Sequence, residues 1–379
     1  MTWDITGLGA VSSVGADARA TYDALCAGRD GRGRVRCFDP AAYRAGHAYE
    51  IDDRGADGDR PLRATGWLLT AVEQAVADAG LGDDLGDIPV LVGTTLREQR
   101  SVELWWRGGP PVPVDELHFG TALRRRFGAT TSYTFANACA ASLYALGMAT
   151  DMIALSQADT VVVAGTDSIA ESTFAAMDRA QTLVPDAARP FDRAHKGMVM
   201  GEGAVAVVLT RAGAGRGSAA ARLRAVGLNC DAGHPTAPDP AGIAAGVRDA
   251  HRRAGVSPDA IDLVMLHGTG TARNDETEAA VMSEFFADAD ADGPGPLMTA
   301  IKSGVGHTLG GSGLLSLVMA VLSMRHGTVP PVIGLSDPID EAAGLRLVHG
   351  TGAPARIGLA QVNAFGFGGI NAVAVVEKA

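Results

Sequence analysis

Aromatic residues are scarce in this sequence, at 5%, and cysteines number four in 379 residues: Cys26, Cys37, Cys139 and Cys230. No two cysteines form a CxxC pair, and four in a chain this long are too few for a disulfide framework. A reducing, cytoplasmic compartment is the simplest reading. Basic charge is also short. A net charge of −11 and a pI of about 5.3 exclude an overall positive field for nucleic acid or anionic lipid. The opening "MTWDITGLGAVSSVG" has no basic stretch followed by an apolar one, and no apolar run is read as long enough for a membrane span. No metal site, nucleic-acid partner or membrane partner is therefore expected.

Apolar and small residues are plentiful, with 47% apolar composition and 49 glycines. That suits a tightly turned, closely packed α/β protein, with a length that allows one large domain or two medium ones. Short apolar bursts recur at Val90–Gly93, Thr160–Gly165, Ala204–Leu209, Leu263–Gly268 and Asn371–Val376. They do not alternate with polar residues, which predicts strands covered on both faces. A weak repeat relates Leu68–Leu96 to Gly242–Thr271: an amphipathic helix ending at "AG", an acidic turn, an apolar strand and a Gly-Thr tail. A second pairing sets "NACAASLYALGMATDMIAL" against "KSGVGHTLGGSGLLSLVMAVL", so Cys139 and His307 head equivalent helices. The low-complexity Arg211–Arg222 reads as a surface connection between two halves. If those halves pack about a pseudo-twofold axis, a thiol at one helix start meets an imidazole from the other. A helix N-terminus favours thiolate, which predicts a depressed pKa at Cys139 alone and little labelling of Cys26, Cys37 and Cys230.

Three further segments carry chemistry-bearing residues among glycines. They are "LHGTGTARNDETE" (His267, Thr269, Thr271, Asp275, Glu278), "IKSGVGHTLGGSG" (Lys302, His307) and "NAFGFGGINA" (Phe365 to Gly369). Each alone is weak, because a thiol among alanines is ordinarily a small buried hydrophobe and a lone histidine a satisfied core group. His47, His118, His195, His251, His326 and His349 lack such a context and read as structural.

Taken in order, these segments resemble the decarboxylating β-ketoacyl-ACP synthases, the elongating ketosynthases. "ITGLGAVSSVG", "GRDGRGRVRCFDP", "NACAAS", "RPFDRAHKGMVMGEGAVAVVL" and "DAGHPTAPDP" extend the resemblance nearly end to end. It implies a thiolase-type fold, with two duplicated βαβαβαββ halves forming a layered αβαβα core. Residues 1–211 would be the half carrying the nucleophile, and 212–379 the half carrying both histidines, the lysine and the GFGG loop. It implies that Cys139 accepts an acyl group from the phosphopantetheine of an acyl carrier protein. His267 and His307 would then stabilise the enolate left when a malonyl-type extender loses carbon dioxide. Lys302 and Glu278 would pair and hold the His307 loop. Thr269 and Thr271 would bind the pantetheine arm, with Gly366, Phe367 and Gly368 beside it. The backbone N–H groups of Cys139 and Phe367 would form an oxyanion hole, with the Phe367 ring as gate. No bound cofactor is implied.

Several residues read more simply. Thr269 and Thr271 could cap a turn, and Lys302–Glu278 could be an ordinary buried ion pair. Glu202 reads as structural. Asp231, His234 and Thr236 are placed in a loop facing Phe367, without a catalytic role. The stretch between Val90–Gly93 and Cys139 is shorter than the resemblance leads one to expect, and "ELWW" and "GGPPVPV" have no family counterpart. An acidic carrier needs a basic patch, for which Arg124, Arg125 and Arg126 are candidates, a solvated helix face being the alternative. The expected partners are the carrier protein and a second subunit, either identical or a homologous ketosynthase or chain-length factor. Two other functions remain open. One is an acyltransferase or cyclase that uses Cys139 without decarboxylation. The other is a non-catalytic chain-length-factor-like subunit, which the presence of Cys139 disfavours.

Overall fold

The computed structural model describes residues 2–55, 58–215, 217–287 and 295–379. In the first half, β1 (Trp3–Ser12) leads to α1 (Ala18–Cys26), the short ladder of β2 (Gly33–Arg34) and β3 (His47–Ala48), α2 (Arg63–Asp78), β4 (Val90–Gly93), α3 (Gln99–Trp106) and α4 (Phe119–Phe127). It continues through β5 (Ser132–Phe135), α5 (Ala141–Ala154), β6 (Thr160–Asp167), α6 (Glu171–Ala180) and β7 (Gly203–Arg211). The second half runs β8 (Ala221–Cys230), α7 (Pro240–Ala254), β9 (Leu263–Met265), α8 (Ala272–Phe286), β10 (Leu297–Thr299), α9 (Lys302–Val305) and α10 (Ser312–His326). It closes with β11 (Thr328–Val329), β12 (Arg346–Leu347), β13 (Ala353–Pro354), β14 (Leu359–Gly366) and β15 (Ile370–Lys378).

Eleven strands join in the order β12-β10-β9-β14-β15-β8-β1-β7-β6-β4-β5. The seam between the halves is a short antiparallel pairing of Trp3–Ile5 with Ala221–Leu223. Four of the five apolar bursts lie wholly in strands and Leu263–Gly268 enters β9 only as far as Met265, and most of their side chains are buried on both faces. In β7, Val205, Val207 and Leu209 enter the central core with α5 and α10, while Ala204, Ala206 and Val208 pack under α2 and α4. In β15, Ala372, Ala374 and Val376 face the central core, and Val373 and Val375 face α7 and α8. Helices α5 and α10 therefore lie between two sheet halves that are covered outside by further helices. This is the layered α/β architecture of the thiolase type.

Local chemistry accounts for the ends of α7. Asp239 caps it by accepting the Gly242 N–H, Pro240 opens the first turn, and Gly255 at φ 66° closes it. The connection after β7 is largely exposed, and residue 216 within it lies outside the described residues. One expectation is corrected here. Leu309–His326 is apolar and long enough to cross a membrane by length and composition, but 89% of it is buried inside the molecule. It is a core helix enclosed on all sides, which is why it shows no amphipathic stripe.

The repeat is legible in detail. The helix–strand pairs α2–β4 and α7–β9 match as anticipated. The 3₁₀ turn Ala138–Ala140 precedes α5 as Leu309–Gly311 precedes α10, and the first residue of each turn has φ 48°. Position for position, Cys139 corresponds to Gly310, and His307 lies upstream of the second turn.

Candidate active site

Cys139 sits in the turn at the head of α5, just after the left-handed Ala138, and is 8% exposed. The helix starts interlock across the pseudo-twofold: Leu314 N–H donates to Ser142 Oγ at 3.1 Å, and Ser312 Oγ to the Cys139 carbonyl at 3.4 Å. Gly366 rests against this turn. A Cβ there would lie 3.3 Å from Cys139 N and 3.3 Å from Ala138 Cβ, so a side chain would press on the turn and push it back by a few tenths of an ångström. Beyond it the chain turns back through Gly368 and Gly369, at φ 88° and 77°, which leaves Phe367 about half exposed at the mouth.

The imidazoles of His267 and His307 meet edge to face, with centroids 5.4 Å apart, and both are buried. Lys302 Nζ donates to the His267 carbonyl and lies 3.3 Å from its Nδ1. His307 Nδ1 accepts the Leu309 N–H at 3.1 Å, and its Nε2 is buried with no partner. Burial holds both rings well below the usual histidine pKa, and the Lys302 charge adds to the effect. Both are neutral at pH 7. Because each Nδ1 faces a donor, the single proton of each ring resides on Nε2.

The thiol departs from expectation. Burial pushes Cys139 up to about 11, although the Lys302 charge and the N–H groups of Phe367 and of Cys139 itself pull the other way. The helix start is too weak to offset desolvation of a sulfur this enclosed. Cys230 is exposed, with its Sγ 3.5 Å from the Gly368 carbonyl, so selective labelling of Cys139 is not expected of the resting protein. All four cysteines are free.

Lys302 and Glu278 also differ from the anticipated pair. Glu278 accepts from the N–H groups of His267 (2.7 Å) and Gly268 (2.8 Å) and from the Asn363 amide (3.0 Å), while Lys302 is spent on His267 and does not touch His307. They interact through their charges: burial lowers Lys302 to about 8, and Glu278 works against that fall. Thr269 Oγ1 and Thr271 Oγ1 are 2.8 Å apart, and the Thr271 side chain makes no cap bond to α8. The two hydroxyls are thus bonded to each other within the turn after β9 and do not cap α8.

Asp231, His234 and Thr236 do lie beside the GFGG loop: Asp231 N–H donates to the Gly369 carbonyl, and Gly368 N–H to the Pro235 carbonyl. His234 Nδ1 accepts from the Thr236 and Ala237 N–H groups and so organises that turn. Glu202 is fully buried on Arg54 and Arg63, in keeping with a structural role. Arg124–Arg126 are not at the mouth. They end α4 and precede β5, whereas Cys139 follows β5, and Arg125 and Arg126 are paired with Glu116 and Glu73. A charge run carries no direction in sequence, and this one falls at the far end of the strand.

Sequence reasoning missed two members of the site. Asp167 accepts from the N–H groups of Thr95, Leu96 and Gly310 and from the Thr94 hydroxyl, and burial raises it to about 6. Its only signal was an acid ending the apolar run "TVVVAGTD". Asn363 was hidden in "LAQVNAFG", a strand whose polar residues masked its burial. Among the described residues no cluster of His, Cys, Asp or Glu could hold a metal ion.

The profile described as "Beta-ketoacyl synthase, N-terminal domain" matches residues 4–214, and "Beta-ketoacyl synthase, C-terminal domain" matches residues 220–336. The chain belongs to the β-ketoacyl synthase family. It is 29% identical to the 3-oxoacyl-[acyl-carrier-protein] synthase 2 of Coxiella burnetii, over 99% of this chain and 98% of that protein. It is 30% identical to the tetracenomycin polyketide synthase ketoacyl synthase alpha subunit of Streptomyces glaucescens, over 99% and 96%. Among solved structures, the ishigamide ketosynthase/chain length factor superposes with a TM-score of 0.88 at 30% identity, covering 100% of this synthase and 99% of that chain. In this synthase the segment between β4 and Cys139 folds as α3, a 3₁₀ turn and α4, with Trp105, Trp106 and Val114 exposed. Only Arg100 and Ser101 of α3 are buried, and the helix is held by ion pairs to Asp59 and Glu171.

Proposed function

We propose that Cys139 takes an acyl group from a carrier-protein phosphopantetheine and joins it to a decarboxylated malonyl-type extender, as in fatty-acid-like or polyketide biosynthesis. The observation that carries this is the pair of neutral imidazoles, each with Nδ1 facing a donor and its proton on Nε2. When malonyl loses carbon dioxide, the C–C electron pair becomes an enolate whose oxygen accepts hydrogen bonds from both Nε2–H groups. The enolate carbon attacks the thioester carbonyl on Cys139, whose oxyanion is met by the N–H groups of Cys139 and Phe367. Collapse breaks the C–S bond and expels the Cys139 thiolate, which regains its proton from water. Pre-placed donors of this kind are usually the largest catalytic contribution. Lys302 and Glu278 position His267, Thr269 and Thr271 receive the pantetheine arm, and Phe367 with Gly366 and Gly368 controls entry.

The partners we propose are an acidic carrier protein and a second subunit, identical or homologous. A ketosynthase of this fold has been solved in complex with its acyl-carrier protein. Arg189 and Lys196, which share Asp186, replace Arg124–Arg126 as docking candidates, since the Arg189 backbone packs against Gly270 of the threonine turn. The edge strand β5, with Tyr133 and Thr134 exposed, supports association through that edge. The division at 211/212, the absence of a resident cofactor and a cytoplasmic setting belong to the same reading. Acyl transfer or cyclisation without decarboxylation is the alternative. Release of carbon dioxide from malonyl-carrier protein decides between them: condensation requires it, and acyl transfer proceeds without it.

A further inference from the structure

Gln361 and Asn363 stand on one face of β14, both fully buried toward the apolar layer of α7 and α8. Buried amides carry a desolvation penalty that only good partners offset, so where their hydrogen bonds go is informative. Glu278 is an acceptor toward two backbone N–H groups, and the atom Asn363 turns to it at 3.0 Å is Nδ2. Asn363 Oδ1 therefore faces Gln361, which donates through Nε2 at 2.8 Å. Gln361 Oε1 is left facing His251 Nε2 at 2.7 Å, so that ring carries its proton there. His251 is buried, and its Nδ1 has no partner. The result is a one-way chain of N–H donors from α7 across β14 to Glu278.

We propose that His251 is a positioning residue for the condensing site: it fixes the Gln361 and Asn363 amides in the orientation that keeps Glu278 an anion opposite Lys302. This rests on the function proposed above. A chain of donors aligned in one direction is mutually polarised, and its far end stabilises negative charge. Burial pushes the Glu278 carboxyl up, and the Gly268 N–H, the Asn363 amide and the His267 N–H work against it. Asp275, Lys302, His267, Asn274 and Asn363 are the charged and polar groups around Glu278. Among the described residues the His251 ring meets the rings of Phe285 and Phe286 and the Gln361 amide, and burial lowers its pKa. Without the His251 donor, Gln361 is free to reverse, and Asn363 can then turn its oxygen toward Glu278. Glu278 takes up a proton, Lys302 loses its countercharge, and the thiolate of Cys139 loses the cation that favours it.

The test follows the rate of iodoacetamide alkylation of Cys139 at pH 7, where Lys302 is still a cation, resolved by peptide mass spectrometry so that Cys230 is counted separately. His251→Leu is expected to slow Cys139 alkylation about threefold, the equivalent of half a pH unit in the thiol, and to slow condensation about three- to tenfold. Val247→Ala, on the same helix and in the same apolar layer, is expected to lower the melting temperature without changing the alkylation rate. If His251→Leu does not fold, His251→Leu/Gln361→Leu carries the same expectation, since it leaves no glutamine unpaired. A lowered melting temperature with wild-type alkylation and condensation rates would overturn the proposal. Slowed alkylation in a protein that never releases carbon dioxide supports the positioning role while refuting the condensing reaction.

Discussion

The turn at Ala138–Ala140 and the turn at Leu309–Gly311 are one device used twice. Each begins with a left-handed residue at φ 48° and delivers a helix into the central layer. In the first, the middle position is Cys139. In the second it is Gly310, where a Cβ would lie 2.5 Å from the Thr94 backbone. One copy leaves room for a reactive side chain. The other is closed against β4 and locked by Asp167 on the Gly310 N–H. Duplication supplied two equivalent corners, which differ by a thiol at one and a hydrogen atom at the other.

The contrast can be broken most completely at Cys139. Cys139→Ala should abolish acyl-enzyme formation by intact-mass spectrometry while the protein stays folded; an acyl adduct on this variant would remove Cys139 from its role. His307→Ala should still acquire the acyl mass, yet lose about 100-fold or more in carbon dioxide release, the scale of removing a key transition-state donor. Gly310→Ala should act on stability instead, costing about 3 kcal/mol in denaturant unfolding, because backbone rather than a movable side chain stands in the way. The pH response follows from the raised thiol. Below about 11 the folded protein holds Cys139 protonated, so its alkylation rate should keep rising from pH 7 past pH 9. Below about pH 8 Lys302 is a cation that favours thiolate, so Lys302→Met should slow Cys139 alkylation at pH 7. The smallest effect separates the two left-handed residues. Ala138→Gly relieves the strain at little other cost and should stabilise by about 0.5 kcal/mol, whereas Leu309→Gly forfeits a buried side chain and should destabilise by about 2 kcal/mol.

Much of this was legible in the chain itself. Four of the five apolar bursts became strands throughout, and the fourth in chain order did so as far as Met265, because a strand buried on both faces needs no alternation. The Cys-His-His set could be named because its segments, taken in order, resemble those of the elongating ketosynthases; no glycine-rich segment alone marked it. The behaviour of the thiol was not legible, since desolvation depends on everything folded over a residue and not on its neighbours in sequence. The partnering of Lys302 was not legible either: whether it reaches Glu278 or His267 is settled by the short helix α9, whose direction no pattern reports. Gln361 and Asn363 escaped notice because polar residues read as exposed until their partners are seen.

Helix α3 sends only Arg100 and Ser101 inward and leaves Trp105 and Trp106 in solvent. Its outer face is thus exempt from the demands of folding. Substitutions there should pass unseen by a melting curve, so this surface can diverge quickly between relatives while the chemistry beneath it stays unchanged.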